Sequence, residues 1–362
     1  MGAIKETIWA IEPHTEAKHA ILKKYLDAWL PIMTSWSGGV NYIDGFAGPG
    51  EYLGGEEGSP LIALSAILGH GTKLKARFWL LFIEADRERY EVLKRKVTDI
   101  PLPKNVRAGC HCGNFEDVMT GILDNLDRKA SVIAPTFVFI DPFGFSIPIS
   151  IVKRIMSRPR CEVLITFMYE EINRFIGDPK LWTCLTRLYG NDEWKRVIPI
   201  THPGTRVMEL QGIYKKQLEV EAGIKFVTSF KMTNKANRTD YFLYFGTNHL
   251  MGLKKMKAAM WDVDESGSFV FSDATYNPAQ PTLFQVKPNY PSLKKAIIEI
   301  FGGRSVKVVD LETFILTQTP FRETHYKRPI LAPMEREGKI KVNGTKDRRR
   351  GSFPEDCVIE FL

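Results

Sequence analysis

A chain of 362 residues, 44% hydrophobic and 25% charged, suits a soluble globular protein of one large domain or two. A formal net charge of +8 is a modest prior for a polyanionic partner. No apolar run reaches the roughly 18 residues of a membrane span, and the first residues lack a secretory leader's layout. A cytoplasmic protein away from membranes is expected.

Residues 14–33 read as an amphipathic helix, with Ile21, Leu22, Tyr25, Leu26 and Trp29 at helical spacing and Pro31 closing it. "GVNYIDGFAGPG" follows as a short strand running into a glycine turn. Ser59 and Pro60 mark the start of a helix over 59–68. The continuous apolar run 76–86 predicts a buried parallel strand, and "RERYEVLKRKV" its helix. A third strand is read at 105–115 with "FEDVMTGILDNL" behind it, and a fourth at 134–145, apolar until Asp141. Helix "IPISIVKRIM", strand "CEVLITFM" and helices across 170–222 come next, then an antiparallel pair at 224–232 and 240–248.

Strands alternating with helices predict an α/β fold with a doubly wound sheet over residues 1–272. Residues 273–290, rich in proline and polar side chains, read as a linker. Residues 291–362 read as three helices and a hairpin, the last helix a basic one in "ETHYKRPILAPMEREG". That is the order of a winged-helix-like module with Arg348, Arg349 and Arg350 on the wing. Together with Lys327 and Arg328, these arginines are candidates for contact with nucleic acid.

Five cysteines with no CxxC spacing argue against a disulfide framework, and no metal centre is expected. Cys110, His111 and Cys112 sit on successive strand positions, whose side chains point to opposite faces. His14 and His19, before the first strand, are candidates for substrate contact, with capping or surface roles the commoner reading.

In an open α/β sheet, ligands settle beyond the carboxyl ends of the strands. Those ends read Asp44-Gly45-Phe46-Ala47-Gly48-Pro49-Gly50, then Glu84-Ala85-Asp86, Gly113-Asn114-Phe115 and Asp141-Pro142-Phe143-Gly144. Glycines admit a ligand close to backbone, and an acid after the second strand accepts from ribose hydroxyls. The dinucleotide fingerprint fails, because Leu53 stands where GxGxxG needs its third glycine. Glu51 would also repel a pyrophosphate. An adenosine without phosphates, as in S-adenosylmethionine, meets neither objection. "EYLGGEEGSP" lengthens the connection as a lid or substrate loop.

"DGFAGPG" resembles motif I of class I S-adenosylmethionine methyltransferases in its FxGxG form, and "FIDPFGF" is similar to their DPPF/DPPY motif. With "GSPLIAL" and "FIEAD", residues 14–250 more specifically resemble the three-Cys-motif partner proteins, named for a neighbouring gene product with clustered cysteines. The resemblance implies a Rossmann-like methyltransferase sheet. It places Asp44, Gly45, Phe46, Gly48 and Gly50 at the methionine end of the cofactor. Glu84 falls on the ribose, and Asn114 with Phe115 beside the adenine. Asp141 and the Pro142 carbonyl would accept from a target amino group while Phe143 or Phe145 stacks on the base. One departure is Phe143, where the motif has a second proline. The implied activity is methyl transfer to an amino group of a nucleobase in DNA or RNA. The alternative is a non-catalytic partner that keeps the fold and docks a cysteine-motif protein encoded nearby.

Overall fold

The computed structural model describes residues 6–36, 38–70, 76–274, 288–344 and 348–362. Helix α1 (Pro13–Trp36) leads into β1 (Gly39–Asp44), α2 (Ser59–His70), β2 (Arg77–Glu84), α3 (Arg87–Asp99) and β3 (Val106–Cys112). Then come α4 (Phe115–Arg128), β4 (Thr136–Ile140), α5 (Ile149–Met156) and β5 (Cys161–Phe167). Helices α6 (Tyr169–Phe175), α7 (Trp182–Tyr189) and α8 (Pro203–Val220) precede β6 (Phe226–Thr233), β7 (Thr239–Thr247), α9 (Leu250–Trp261) and β8 (Val270–Ser272).

The main sheet runs β3-β2-β1-β4-β5-β7-β6-β8. β7 is antiparallel to both β5 and β6, and the remaining pairs are parallel. Strand order reverses between β1 and β4, which lie side by side with Asp44 opposite Phe139. This is the doubly wound, Rossmann-like arrangement, and the reversal opens a crevice at the carboxyl ends of those two strands.

All residues of β4 and β5 are buried because helices cover both faces. Phe137 and Phe139 of β4 join the core under α1, α2, α3 and α9, whereas Val138 and Ile140 join the core under α4, α5, α7 and α8. From α1, Ile21, Leu22, Tyr25, Leu26 and Trp29 are buried, each worth roughly 1.5–3 kcal/mol of apolar transfer. Pro31 does not close α1 but lies inside it. So close to the end of the helix, the one donor it lacks interrupts little of the ladder.

The terminal segment comprises α10 (Tyr290–Phe301), β9 (Ser305–Lys307), α11 (Val308–Gln318), α12 (Ala332–Arg336), β10 (Ile340–Asn343) and β11 (Val358–Phe361). Its antiparallel sheet has the order β10-β11-β9. The expected basic helix is broken into a 3-10 turn at Glu323–His325, a π-turn at Lys327–Leu331 and α12. Pro329 and Pro333 have no N–H to continue a single ladder. β8 and β9 were not expected; at three residues each they carry no readable alternation. Most of the expected linker, residues 275–287, lies outside the described residues.

The segment docks on α9. Buried Lys257 donates from Nζ to the carbonyls of Ile315 (3.3 Å), Leu316 (2.9 Å) and Thr319 (2.5 Å) at the end of α11. Trp261 donates to Pro320 O at 2.9 Å. Its apolar side chains continue the core under α9.

Candidate active site at the carboxyl edge of the sheet

The chain leaves β1 at Asp44 and turns sharply. Gly45 N still bonds Phe139 O (2.9 Å), and Ala47 N bonds Ile83 O (2.9 Å), so the turn is pinned to both neighbouring strands. Gly48 (φ +61°) and Gly50 (φ +87°) are left-handed, a conformation that favours glycine. A side chain at Gly45 would run into the Phe115 ring. Beyond the turn, residues 51–58 fold back on themselves: Glu51 bridges Glu57, and Gly58 N bonds Gly50 O at 2.7 Å.

Glu84 holds the turn from behind. One carboxylate oxygen accepts from Gly48 N and the other from Asp86 N, both at 2.8 Å. Asp44 is wholly buried and accepts from Phe46 N at 3.2 Å. Burial pushes its carboxyl up to about 7, against the hydrogen bonds of Ser59 and Phe46.

Across the crevice, Asp141 follows β4 and meets Lys18 of α1 with Nζ 2.5 Å from Oδ2. Burial favours its neutral form, but the Lys18 charge and hydrogen bond outweigh that, and the carboxyl stays below its ordinary range. His19 is buried, only 6% exposed. Its Nδ1 has no hydrogen-bond partner among the described residues. Burial and the neighbouring Lys18 charge push its pKa down to about 3, so the ring is neutral.

One cavity joins these groups: Gly48, Gly50, Phe46, His19 and Asp141 line it, under a roof of Trp9, Tyr52 and Phe143. Trp9 packs edge-on against Tyr52 (5.7 Å between centroids) and Phe143 (6.0 Å), with the Arg89 guanidinium 4.9 Å from the Trp9 ring. Leu53 N bonds Trp9 O at 2.8 Å, which ties the expected lid loop to the N-terminal segment. Free space beneath the roof is about 30 Å³. An adjoining cavity of about 80 Å³ reaches Pro142, Lys18, Asp240 and Tyr241. Both fall short of the roughly 300 Å³ at which small-molecule pockets begin, so entry of a nucleoside requires the roof to swing.

The expected site residues therefore divide. Phe46, Gly48, Gly50, Asp141 and Phe143 line the cavity and Pro142 its extension, while Asp44 and Gly45 lie just beneath. Glu84 is not in the wall. Asn114 is exposed and caps α4, its side chain accepting from Glu116 N at 2.8 Å. Phe115 is buried against Phe46, 5.6 Å between centroids.

His14 and His19 are not surface residues. His14 is buried between Asp273 (2.8 Å) and Glu12 (3.1 Å). Sequence reasoning missed Lys18, yet positions 14, 18, 21 and 25 trace the buried stripe of α1, and a lysine on that stripe was the signal. Glu51 is held 2.5 Å from Lys96, which weakens the charge objection to a pyrophosphate; the missing third glycine stands. No group of three or more potential metal ligands occurs among the described residues.

Of the five candidate nucleic-acid residues, two pair internally with acids, and Arg350 donates to Glu335 O at 3.4 Å. Arg348 pairs with Glu335 and donates to Ser352 O at 2.7 Å. Lys327 lies 3.5 Å from Glu312. Arg328, Arg349 and Arg350 are exposed.

No family model matches the chain, and no curated protein matches it. Among solved structures, an O-methyltransferase from Bacillus cereus in complex with SAH is 14% identical, covering 66% of this chain and 82% of its own at a TM-score of 0.34. Human methyltransferase-like protein 13 in complex with SAH is 11% identical over 69% of this chain and 91% of its own, TM-score 0.35. A human methyltransferase 10 domain containing protein is 13% identical over 63% and 82%, TM-score 0.33. At these TM-scores the likenesses assign neither reaction nor substrate to this chain.

Proposed function

We propose that the chain is an S-adenosylmethionine-dependent methyltransferase acting on an amino group of a nucleobase in DNA or RNA. The observation that carries this reading is the shared cavity, in which bare turn backbone and the Asp141 carboxylate face the same space. The residues fit the cofactor: Gly48 leaves room where a side chain would stand, and Asp44, Glu84 and Asp141 surround the turn with acid groups suited to a cationic ligand. The orphaned Nδ1 of His19 is a buried polar atom awaiting a partner.

When bound, the cofactor supplies a methyl group already activated on a sulfonium. The protein's part is then position and electrostatics. Lys18 keeps Asp141 ionised and oriented, so its free lone pairs accept from the target amino group. The Pro142 carbonyl is the second acceptor of the DPPY-like arrangement, and Phe143 offers a face for the base. His19, neutral, offers Nδ1 for a further hydrogen bond with cofactor or substrate. A base within a duplex must be flipped out to reach Asp141.

The order helix, strand, helix, helical turns and hairpin in residues 290–361 resembles a winged helix, and exposed Arg328, Arg349 and Arg350 suit a phosphate backbone. The finer resemblance to three-Cys-motif partner proteins rests on the sequence motifs. A second reading, a non-catalytic partner docking the cysteine-motif protein, is favoured by the closed aromatic roof and by Phe143 in the motif.

Thermal melting with S-adenosylmethionine, S-adenosylhomocysteine and NAD separates these readings, since a ligand of the folded state raises Tm by mass action. A rise with the first two alone supports the cofactor site, and labelled methyl appearing on DNA or RNA supports the reaction. No rise with either sulfur compound removes it.

A further inference from the structure

A roomier cavity lies elsewhere. About 600 Å³ of space opens between α1 and α9 at the amino end of β5, a strand whose seven residues put it roughly 20 Å from Asp141. Tyr25, Trp29 and Met33 form an apolar floor, and Arg160, His249 and Lys255 stand on the rim. Its size falls in the range of small-molecule sites, yet none of the strand-end groups reaches it.

Two features give it a chemical preference. The acid nearest the floor, Glu162, is fully engaged: the Tyr25 and Thr247 hydroxyls both donate to it at 2.6 Å. Arg160 and Lys255, by contrast, have no ion-pair partner among the described residues. Arg160 also holds φ +58°, a left-handed turn position where glycine is the ordinary occupant. An arginine kept at that backbone cost points to use of its guanidinium.

We propose that this cavity binds an amphipathic organic anion of the medium-chain carboxylate class, its chain on the Trp29 floor and its head between Arg160 and Lys255. The inference is independent of the methyltransferase reading. The probes are sodium decanoate below its micelle concentration, 1-decanol and sodium butyrate, titrated calorimetrically into the full chain. Decanoate is expected to saturate at one site, decanol to bind at least tenfold more weakly, and butyrate to compete poorly.

The double variant Arg160→Gly, Lys255→Met should bring decanoate down to the decanol level while decanol itself is unchanged. Glycine suits the left-handed position, so this variant is expected to fold. Met33→Trp, which fills the floor, should abolish binding of both chains. An absent decanoate isotherm, wild-type decanoate affinity in the double variant, or butyrate competing as well as decanoate would each overturn the proposal.

Discussion

The carboxyl edge of the main sheet and the terminal segment both concentrate charge, but they commit it differently. At the edge, Lys18 and Asp141 are paired with side chains only 7% and 21% exposed, beside wholly buried Asp44 and the unsatisfied His19. At the terminal segment, Lys254 of α9 and Lys327 converge on Glu312, which also accepts from Tyr326 at 2.9 Å, and Arg348 is locked to Glu335. A buried ion pair is weak evidence for stability, because well-packed apolar residues often do as well. Kept next to a cavity with capacity to spare, it is better evidence for chemistry. The same kind of pair tying a turn to a short helix is architecture. Charge in a sequence therefore says little until its partners are known.

The largest effect that would break this contrast is at Asp141. Asp141→Asn retains the shape of the side chain but loses the charge that Lys18 supports, so methyl transfer should fall by roughly 10²–10⁴. Affinity for S-adenosylmethionine, read by melting shift, should change by less than about threefold. A rate within threefold of wild type would make the Lys18–Asp141 pair as architectural as Arg348–Glu335.

A pH titration of stability sharpens the contrast at two buried groups. Asp44 has its carboxyl raised by burial from 3.8 to about 7. Between those values the folded chain keeps a proton that the unfolded chain has lost, so this group makes stability fall as pH rises through the window. Lys257, at the docking surface, is lowered by burial from 10.5 to about 7, opposed by Glu323. There the unfolded chain holds the extra proton, and stability rises between about pH 7 and 10.5. Denaturant midpoints across this range should lose the falling limb in Asp44→Asn and the rising limb in Lys257→Met. Retention of both limbs in both variants would assign the slopes to other groups.

The sheet was legible because β4 and β5 are buried on both faces and are mostly apolar, Thr136, Glu162 and Thr166 excepted, with Ser59 ahead of α2. Asn114 also shows the ambiguity of single residues: the same amide at a strand end is a ligand contact or a cap, and here it caps. The Lys18–Asp141 pair spans 123 positions, and no local pattern records such a partner. The roof is assembled from Trp9, Tyr52 and Phe143 on three separate segments; the lid loop and Phe143 were singled out in the sequence, but their meeting at Trp9 has no local pattern. The terminal helix was misread because helical composition in "ETHYKRPILAPMEREG" outweighed its two prolines.

The smallest expected effect concerns the three consecutive arginines, which the structure makes unequal. Arg349 and Arg350 are exposed, so replacing both by Ala should lower the logarithmic salt slope of nucleic-acid binding by about 1.5–2, the loss of two phosphate contacts. Arg348→Ala should leave that slope nearly unchanged and instead loosen the hairpin. It strands Glu335, whose remaining partners include Gly351 N at 2.9 Å, and amide exchange in β10 and β11 should accelerate. If Arg348→Ala flattens the salt slope as much as the other two together, the pairing with Glu335 opens on contact with nucleic acid. The wing would then hold its charge in reserve, as the carboxyl edge of the main sheet does.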